Sequence, residues 1–366
     1  MSIYTELRYP VDNGRSPTPH IGIFRALPGL GDLLCAVPAW RTLRAAFPQA
    51  RLSLIGLPET RPLTARFSRY IDEFIPFPGF PGLKEKTPHI PELLDFLTAV
   101  QGRFNLVMQM HGSGLLSNPV TMLLGAHRAA GFYLPGQYCP DQHSFLPYPT
   151  HLSEVQRYLT LLKFLGIPAQ GEALEFPLEA QDYADFAALT AERPLPPYQP
   201  YVCLHPGSSH PAKRWPPRYF ARVGDVLARW GFTVLLTGTK KENHLTTAVA
   251  AAMKQPAINL AGRTPLGALA LLLQDAHLLV CNDTGVSHLA AAMQTPSVIV
   301  FHHTGDVPRW APTDRVRHRV IVASHKCENE RTIEANCAPE HLPAEEVTAV
   351  IREARCLLHQ KVLHVA

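Results

Sequence analysis

The sequence has no Cys-x-x-Cys pair, no run of five Lys or Arg residues and no Gly-x-x-x-x-Gly-Lys-Ser/Thr loop. It also lacks an Asp-x-Asp carboxylate pair and any apolar stretch near the ~20 residues that span a bilayer. These absences argue against a nucleic-acid tract, a Walker-type nucleotide loop, a carboxylate-bound metal and a membrane-spanning helix. The N-terminal MSIYTELRYPVDNGRS lacks the charged-then-apolar order of a secretory signal. Any membrane contact is therefore expected to be peripheral. Seven cysteines, an odd number, include Cys203 and Cys281 inside apolar runs, where a reduced thiol packs as a small hydrophobe. That usage fits a reducing cytoplasm.

What is present is apolar material and proline. Of 366 residues, 46% are hydrophobic and only 17% charged, enough for two cores and too apolar for a disordered chain. The length predicts two domains. Proline is abundant, 35 residues against 23 glycines, and should punctuate loops. The net charge of +4 is too weak to argue for nucleic acid as a partner, yet it allows a basic rim facing phosphates or an anionic membrane.

Short apolar runs alternate with amphipathic segments, the pattern of βα units feeding a parallel sheet. The first half predicts strands at 21–26, 51–57, 73–77 and 104–110, with helices at 38–47, 60–69, 91–101, 115–124 and 152–165. The segment 194–200, PLPPYQP, excludes helix and predicts a stiff linker. Beyond it, strands are predicted at 201–205, 232–237, 257–260, 277–281 and 297–301. Helices are expected at 216–230, 240–254, 265–275 and 284–293. Val347, Val350, Ile351, Ala354, Leu357 and Leu358 recur at helical spacing and predict a closing helix within 343–366. The expected organisation is a domain over 1–193, a linker over 194–200, a second domain over 201–342 and the closing helix. Two doubly wound domains imply ligands in an interdomain cleft, at the carboxyl ends of the strands.

Three segments carry chemistry-bearing residues. In the first, Pro28-Gly29-Leu30-Gly31-Asp32 follows the first strand, and Pro38 predicts that the regular helix starts there, with a single turn before it. Asp32 is then either an N-cap or an exposed carboxylate able to take a proton from a bound hydroxyl. In the second, His205-Pro206-Gly207-Ser208-Ser209 leads to Lys213, a loop of small hydroxyl residues and a cation suited to phosphate. In the third, Asn282-Asp283-Thr284-Gly285-Val286 opens an Ala-rich helix whose first amides would face a diphosphate. Asp283 is either an N-cap that supports the loop or an acid that would repel phosphate unless it faces a sugar hydroxyl or Lys213.

In this order, these segments resemble the ADP-heptose:lipopolysaccharide heptosyltransferases, glycosyltransferase family nine. The likeness is carried by GDLLCAVPAWRTLRAAFPQARLSLIG, HGSGLLSNPVTMLLGAHRAAGF, HPGSSHPAKRWPPRYFARV and NDTGVSHLAAAMQTPSVIVF, and the PAKRWP run looks most like heptosyltransferase II. The resemblance implies a GT-B fold, an α/β architecture of two Rossmann-like domains, and inverting transfer of heptose from a nucleotide sugar to a lipopolysaccharide core or other glycan acceptor. It assigns Asp32 as general base. Ser208, Ser209 and Lys213 hold the donor phosphates together with the amides of Thr284, Gly285 and Val286. Gly238 and Glu242 lie at the ribose, the stretch from Gly262 through Thr264 to Leu266 at the adenine, and Asp283 and His288 near the transferred sugar. No metal or other cofactor is implied, because lysine and helix amides offset the charge that develops on ADP.

The chain departs from the family where His302-His303-Thr304-Gly305 replaces a Gly-Pro-Thr turn. With His288 these histidines could suggest a metal, but adjacent imidazoles are expected to point apart. His325, Cys327, Cys337 and His341 have the atoms for zinc without the spacing of a common finger. Trp310, beside Pro308 and Arg309, is the tryptophan best placed to touch a ligand. A nucleotide-sugar epimerase of the same fold, a transferase using another donor, and a noncatalytic carbohydrate-binding protein are the competing readings. Sugar products analysed with and without acceptor separate the first two classes.

Overall fold

The computed structural model describes residues 4–5, 18–193, 199–323 and 344–363. Residues 194–198 of the proline-rich segment and the His325, Cys327, Cys337, His341 set lie outside the described residues. The chain divides into two compact units, Met1–Leu174 and Glu175–Ala366.

The first unit is wound on a parallel sheet in the order β3-β2-β1-β4-β5-β6. Its strands are β1 His20–Phe24, β2 Arg51–Gly56, β3 Glu73–Pro76, β4 Leu106–Gln109, β5 Arg128–Tyr133 and β6 Phe145–Pro147. Helices α1 Leu30–Leu34, α2 Val37–Ala46, α3 Arg61–Ala65, α4 Ile90–Val100, α5 Ser117–Leu123 and α6 Glu154–Phe164 cover it. Buried on both faces, β1 and β2 read as near-continuous apolar runs, and Phe24, Ile55, Phe96, Phe104 and Val107 meet in one core. Pro38 stands in the first turn of α2, and the single turn α1 precedes it as expected. The regular helix expected over 60–69 is shorter, a 3-10 turn at Pro58–Thr60 running into α3. The sequence pattern does not reveal β5 and β6. Arg-Ala-Ala-Gly at the start of β5 has poor strand propensity, and its pairing with β4 makes it a strand.

The second unit repeats this winding in the order β12-β11-β10-β7-β8-β9. Helix α7 Ala180–Glu192 leads into β7 Tyr201–His205, α8 Pro217–Arg229 and β8 Thr233–Leu236. There follow α9 Asn243–Ala252, β9 Ala257–Asn259, α10 Leu266–Asp275, β10 Leu279–Asn282 and α11 Gly285–Ala292. Strand β11 Ser297–His302, α12 Val307–Trp310, β12 His318–Ala323 and α13 Ala344–Leu363 complete it. Helix α7 packs on α10, so the division of the chain falls ahead of the 194–200 segment. The sequence pattern also misses α7, α12 and β12.

Helix α13 buries Val347, Val350, Ala354, Leu357 and Leu358 in the core of the second unit, beside Trp215 and Phe220. Trp215 Nε1 donates to Glu346 Oε2 at 3.1 Å, which fixes the helix start against the segment after β7. Among the described residues no helix is long and apolar enough to cross a membrane.

In both sheets the chain reverses direction of winding beside the first strand, between β1 and β4 and between β7 and β10. Those crevices are where an open α/β sheet takes ligands. Because Leu357 is fully enclosed, Leu357→Ala should destabilise the second unit by about 2–5 kcal/mol. Urea unfolding followed by tryptophan fluorescence should show that loss, and a change under 1 kcal/mol would mean that α13 contributes little to this core.

Candidate active site

Beside β1, Asp32 lies within the single turn α1, whose N-cap is Gly29. Asp32 is therefore not the N-cap residue of α1, nor of α2, whose N-cap is Ala36. Its carboxylate folds back over Gly29, where a Cβ would sit 2.2 Å from Asp32 Oδ2, so the bare glycine backbone makes room for the acid. Arg25 approaches from the end of β1, with Nη2 3.6 Å from Asp32 Oδ1. Across the crevice, at the end of β4, His111 stacks on Phe24 with ring centroids 5.3 Å apart. Burial, reinforced by the Arg25 charge, lowers the His111 pKa to about 4, so this imidazole is neutral.

The second crevice gathers most of the other expected residues. Lys213 follows β7 and Asp283 follows β10, and Lys213 Nζ meets Asp283 Oδ2 at 2.6 Å. Asp283 therefore faces the lysine, which is what makes an acid tolerable beside an anion site. Helix α11 begins after Thr284, and the amides of Thr284, Gly285 and Val286 donate to no described group. Ser208 Oγ is buried and has no hydrogen-bond partner among the described residues, whereas Ser209 is exposed. An orphaned hydroxyl, a lysine and free helix amides form a set of donors suited to phosphate oxygens.

Buried Asn282 holds this arrangement. Its Nδ2 donates to Pro206 O at 2.8 Å while its Oδ1 accepts from the Trp215 amide at 2.9 Å. Both ends of the 206–215 loop are thus fixed to the end of β10. Arg214 Nε donates to Ser208 O at 3.0 Å and tightens the middle.

Glu242 sits in the 3-10 turn Lys240–Glu242 and accepts from the Thr239 amide and hydroxyl, each at 2.8 Å. A Cβ on Gly207 would lie 2.2 Å from Glu242 Oε1, so the carboxylate also depends on a bare glycine. Burial pushes Glu242 up, but the Thr239 hydrogen bonds and the fields of His205 and Arg214 outweigh it and hold the carboxyl below its ordinary value. Gly238 accepts from the Gly262 amide at 2.8 Å, which brings the turns after β8 and β9 together. Thr264 and Leu266 follow, both half-buried.

His288 is buried on α11, edge-on to Trp310 at 6.0 Å, and the Arg309 guanidinium covers the Trp310 ring at 4.6 Å. One expectation is overturned here. His302 and His303 do not point apart: their rings lie 4.0 Å apart, because His303 stands in the turn that ends β11. His302 Nδ1 is engaged by Thr304. Among the described residues no group of three His, Cys, Asp or Glu side chains is placed to hold a metal. Cys203 and Cys281 are buried, and burial pushes the Cys203 thiol up to about 12 and raises Cys281 as well, so both stay protonated.

Residues 100–341 match glycosyltransferase family 9 (heptosyltransferase). The chain belongs to this family and is a glycosyltransferase. It is 27% identical to the lipopolysaccharide heptosyltransferase 2 of Escherichia coli K12 over 313 residues, covering 80% of this chain and 85% of that protein. The lipooligosaccharide heptosyltransferase 2 of Haemophilus ducreyi is 24% identical over 294 residues, covering 77% and 83%. Among solved structures, the family 9 glycosyltransferase of Veillonella parvula superposes with a TM-score of 0.72 at 19% identity, covering 93% of this chain and 97% of that one. The E. coli ADP-heptose lps heptosyltransferase II does so with 0.68 at 21%, covering 94% and 99%. The fold is GT-B.

Replacing Asn282 by alanine leaves the Pro206 carbonyl and Trp215 amide without their partner, at a cost of about 1–3 kcal/mol for each buried group. Asn282→Ala should lower the melting temperature accordingly. An unchanged melting temperature in calorimetry would show that the loop keeps its shape without the amide.

Proposed function

We propose that this glycosyltransferase moves a heptose from ADP-heptose to a lipopolysaccharide core acceptor with inversion. The observation that carries the reading is the set of unsatisfied donors at the second crevice, where buried Ser208 Oγ and the free amides of Thr284, Gly285 and Val286 accompany Lys213. The names of the similar proteins support the choice of sugar and acceptor. In this reading the first unit binds the acceptor and the second binds the donor.

Each residue then has a role. Ser208, Ser209, Lys213 and the three amides receive the diphosphate. Glu242, with Gly238 behind it, takes the ribose hydroxyls; Thr264 and Leu266 line the adenine; Asp283 and His288 face the heptose. Diphosphate oxygens replace Asp283 as the partner of Lys213, and Asp283 turns to a sugar hydroxyl. The acceptor hydroxyl gives its proton to Asp32 as its oxygen bonds to the anomeric carbon. On the opposite face the bond to the ADP oxygen breaks, and its electron pair stays on the diphosphate, where Lys213 and the helix amides stabilise the added charge. A lipid-borne acceptor would bring the enzyme to the inner face of the inner membrane through peripheral contact.

Two substitutions separate the roles. Asp32→Asn keeps size and hydrogen bonding but removes the proton acceptor, so donor affinity should persist while transfer falls by ~10²–10⁴. Lys213→Ala should weaken donor binding and slow transfer together, because the cation meets phosphate both before and during reaction. Calorimetry with ADP-heptose and single-turnover rates measure both, and an Asp32→Asn enzyme with wild-type turnover would remove Asp32 as the base.

Chelation gives an independent check, since lysine and amides already answer the leaving-group charge. EDTA should leave the initial rate of ADP release nearly unchanged. Complete loss, restored by Mg²⁺ or Mn²⁺, would overturn the mechanism.

A further inference from the structure

The reaction just described makes no use of a charge buried at the end of β1. Arg25 is only 4% exposed, and a guanidinium in that position is unfavourable unless its donors are met and its charge is paired. Nε and Nη2 both donate to one atom, the Asp32 carbonyl oxygen, at 2.8 and 2.5 Å. Nη1 donates to the Met110 carbonyl at 2.7 Å and to the Tyr158 hydroxyl. Nη1 also stands 3.4 Å from Glu154 Oε1.

The Asp32 carbonyl is available to Arg25 for a local reason. The Ala36 amide, which would bond Asp32 O in a continuous helix, instead bonds Leu33 O at 2.9 Å, because the chain breaks between α1 and α2. The guanidinium takes the acceptor that the break releases. On its other side, Arg25 is anchored by α6. Glu154 accepts from the Tyr158 hydroxyl and, at 3.1 Å, from Arg157 Nη1, and all three side chains are buried.

We infer that Arg25 is the positioning residue for Asp32, with Glu154 and Tyr158 as its anchor. Helix α6 sets the guanidinium, and the guanidinium sets both the turn that carries the carboxylate and the side of the carboxylate that faces a cation. This inference rests on Asp32 as the base. Among the described residues, the charged or titratable groups around Arg25 are Tyr158, Glu154, Asp32, Cys35 and the neutral His111, with Arg157 beyond Glu154. Only Asp32 and Glu154 supply negative charge among them, so removing Arg25 and Glu154 together takes away the cation facing Asp32 without leaving Glu154 as a buried anion.

The test compares wild type, Arg25→Lys, the double variant Arg25→Met/Glu154→Gln, and Asp32→Asn. Lysine keeps the charge but cannot grip one carbonyl with two N–H groups while reaching Met110. Arg25→Lys should bind ADP-heptose as wild type does, yet its single-turnover rate should fall by roughly 10²-fold, the effect of a misplaced catalytic group. In the double variant the acidic limb of the rate against pH should also move to higher pH, because Asp32 loses its neighbouring cation. A merely structural Arg25 would alter melting alone, and variants with a wild-type rate and an unmoved limb would overturn the inference. If Asp32→Asn is slow while the Arg25 variants are fast, only the positioning role fails; if Asp32→Asn is itself fast, the base assignment fails. Should the double variant not fold, the rate of Arg25→Lys decides.

Discussion

Asn282 imposes the constraint on which the second crevice depends. A side-chain amide can donate and accept at once, and here it does both, joining Pro206 to Trp215 through the end of β10. The loop between them contains Ser208 and Lys213, so its shape follows from two hydrogen bonds to one buried group. The Trp215 ring continues the connection by donating to Glu346, which couples the 206–215 loop to the start of α13. A tightly bound loop allows Ser208 Oγ to stay buried without a partner, because the surrounding hydrogen bonds offset the cost of one unmet hydroxyl.

The two units solve the same problem with different chemistry. Each sheet reverses beside its first strand, leaving a crevice where loops from two adjacent strands can meet. In the second unit that crevice presents hydrogen-bond donors and a lysine paired with a carboxylate. In the first it presents a carboxylate over a bare glycine, backed by a buried guanidinium. One demand is nevertheless shared: neither Gly29 nor Gly207 can carry a side chain, since Asp32 lies directly over the first and Glu242 over the second.

Much of this was legible in the sequence because the signals are local. Pro38 announces the break after Asp32, and Asn-Asp-Thr-Gly before an Ala-rich helix announces the anion-facing end of α11. The pairing of Lys213 with Asp283 is one of three readings the sequence leaves open, beside an N-cap and a sugar contact. What stayed hidden depends on contacts between distant residues. Arg25 and Glu154 are 129 positions apart, and Asn282 and Pro206 are 76, so no spacing rule connects them. Strand β5 stays hidden for a related reason, because its pairing with β4 and not propensity holds it. The rings of His302 and His303 defy the expectation because strand alternation ends at His302 and His303 already stands in a turn.

In the proposed reaction, the ion pair between Lys213 and Asp283 would also act as a filter on what the crevice accepts. Any anion that draws Lys213 away leaves a carboxylate that is 5% exposed without its partner, and that cost is set against binding. A bare phosphate compound has nothing to give Asp283 in return. A ligand that brings a hydroxyl-bearing sugar together with its phosphates satisfies both ends of the broken pair. In the proposed reaction the exchange would run backwards once the sugar is gone, with Asp283 reclaiming the lysine from the remaining nucleotide. The pair would thereby favour entry of an intact nucleotide sugar and departure of its spent carrier.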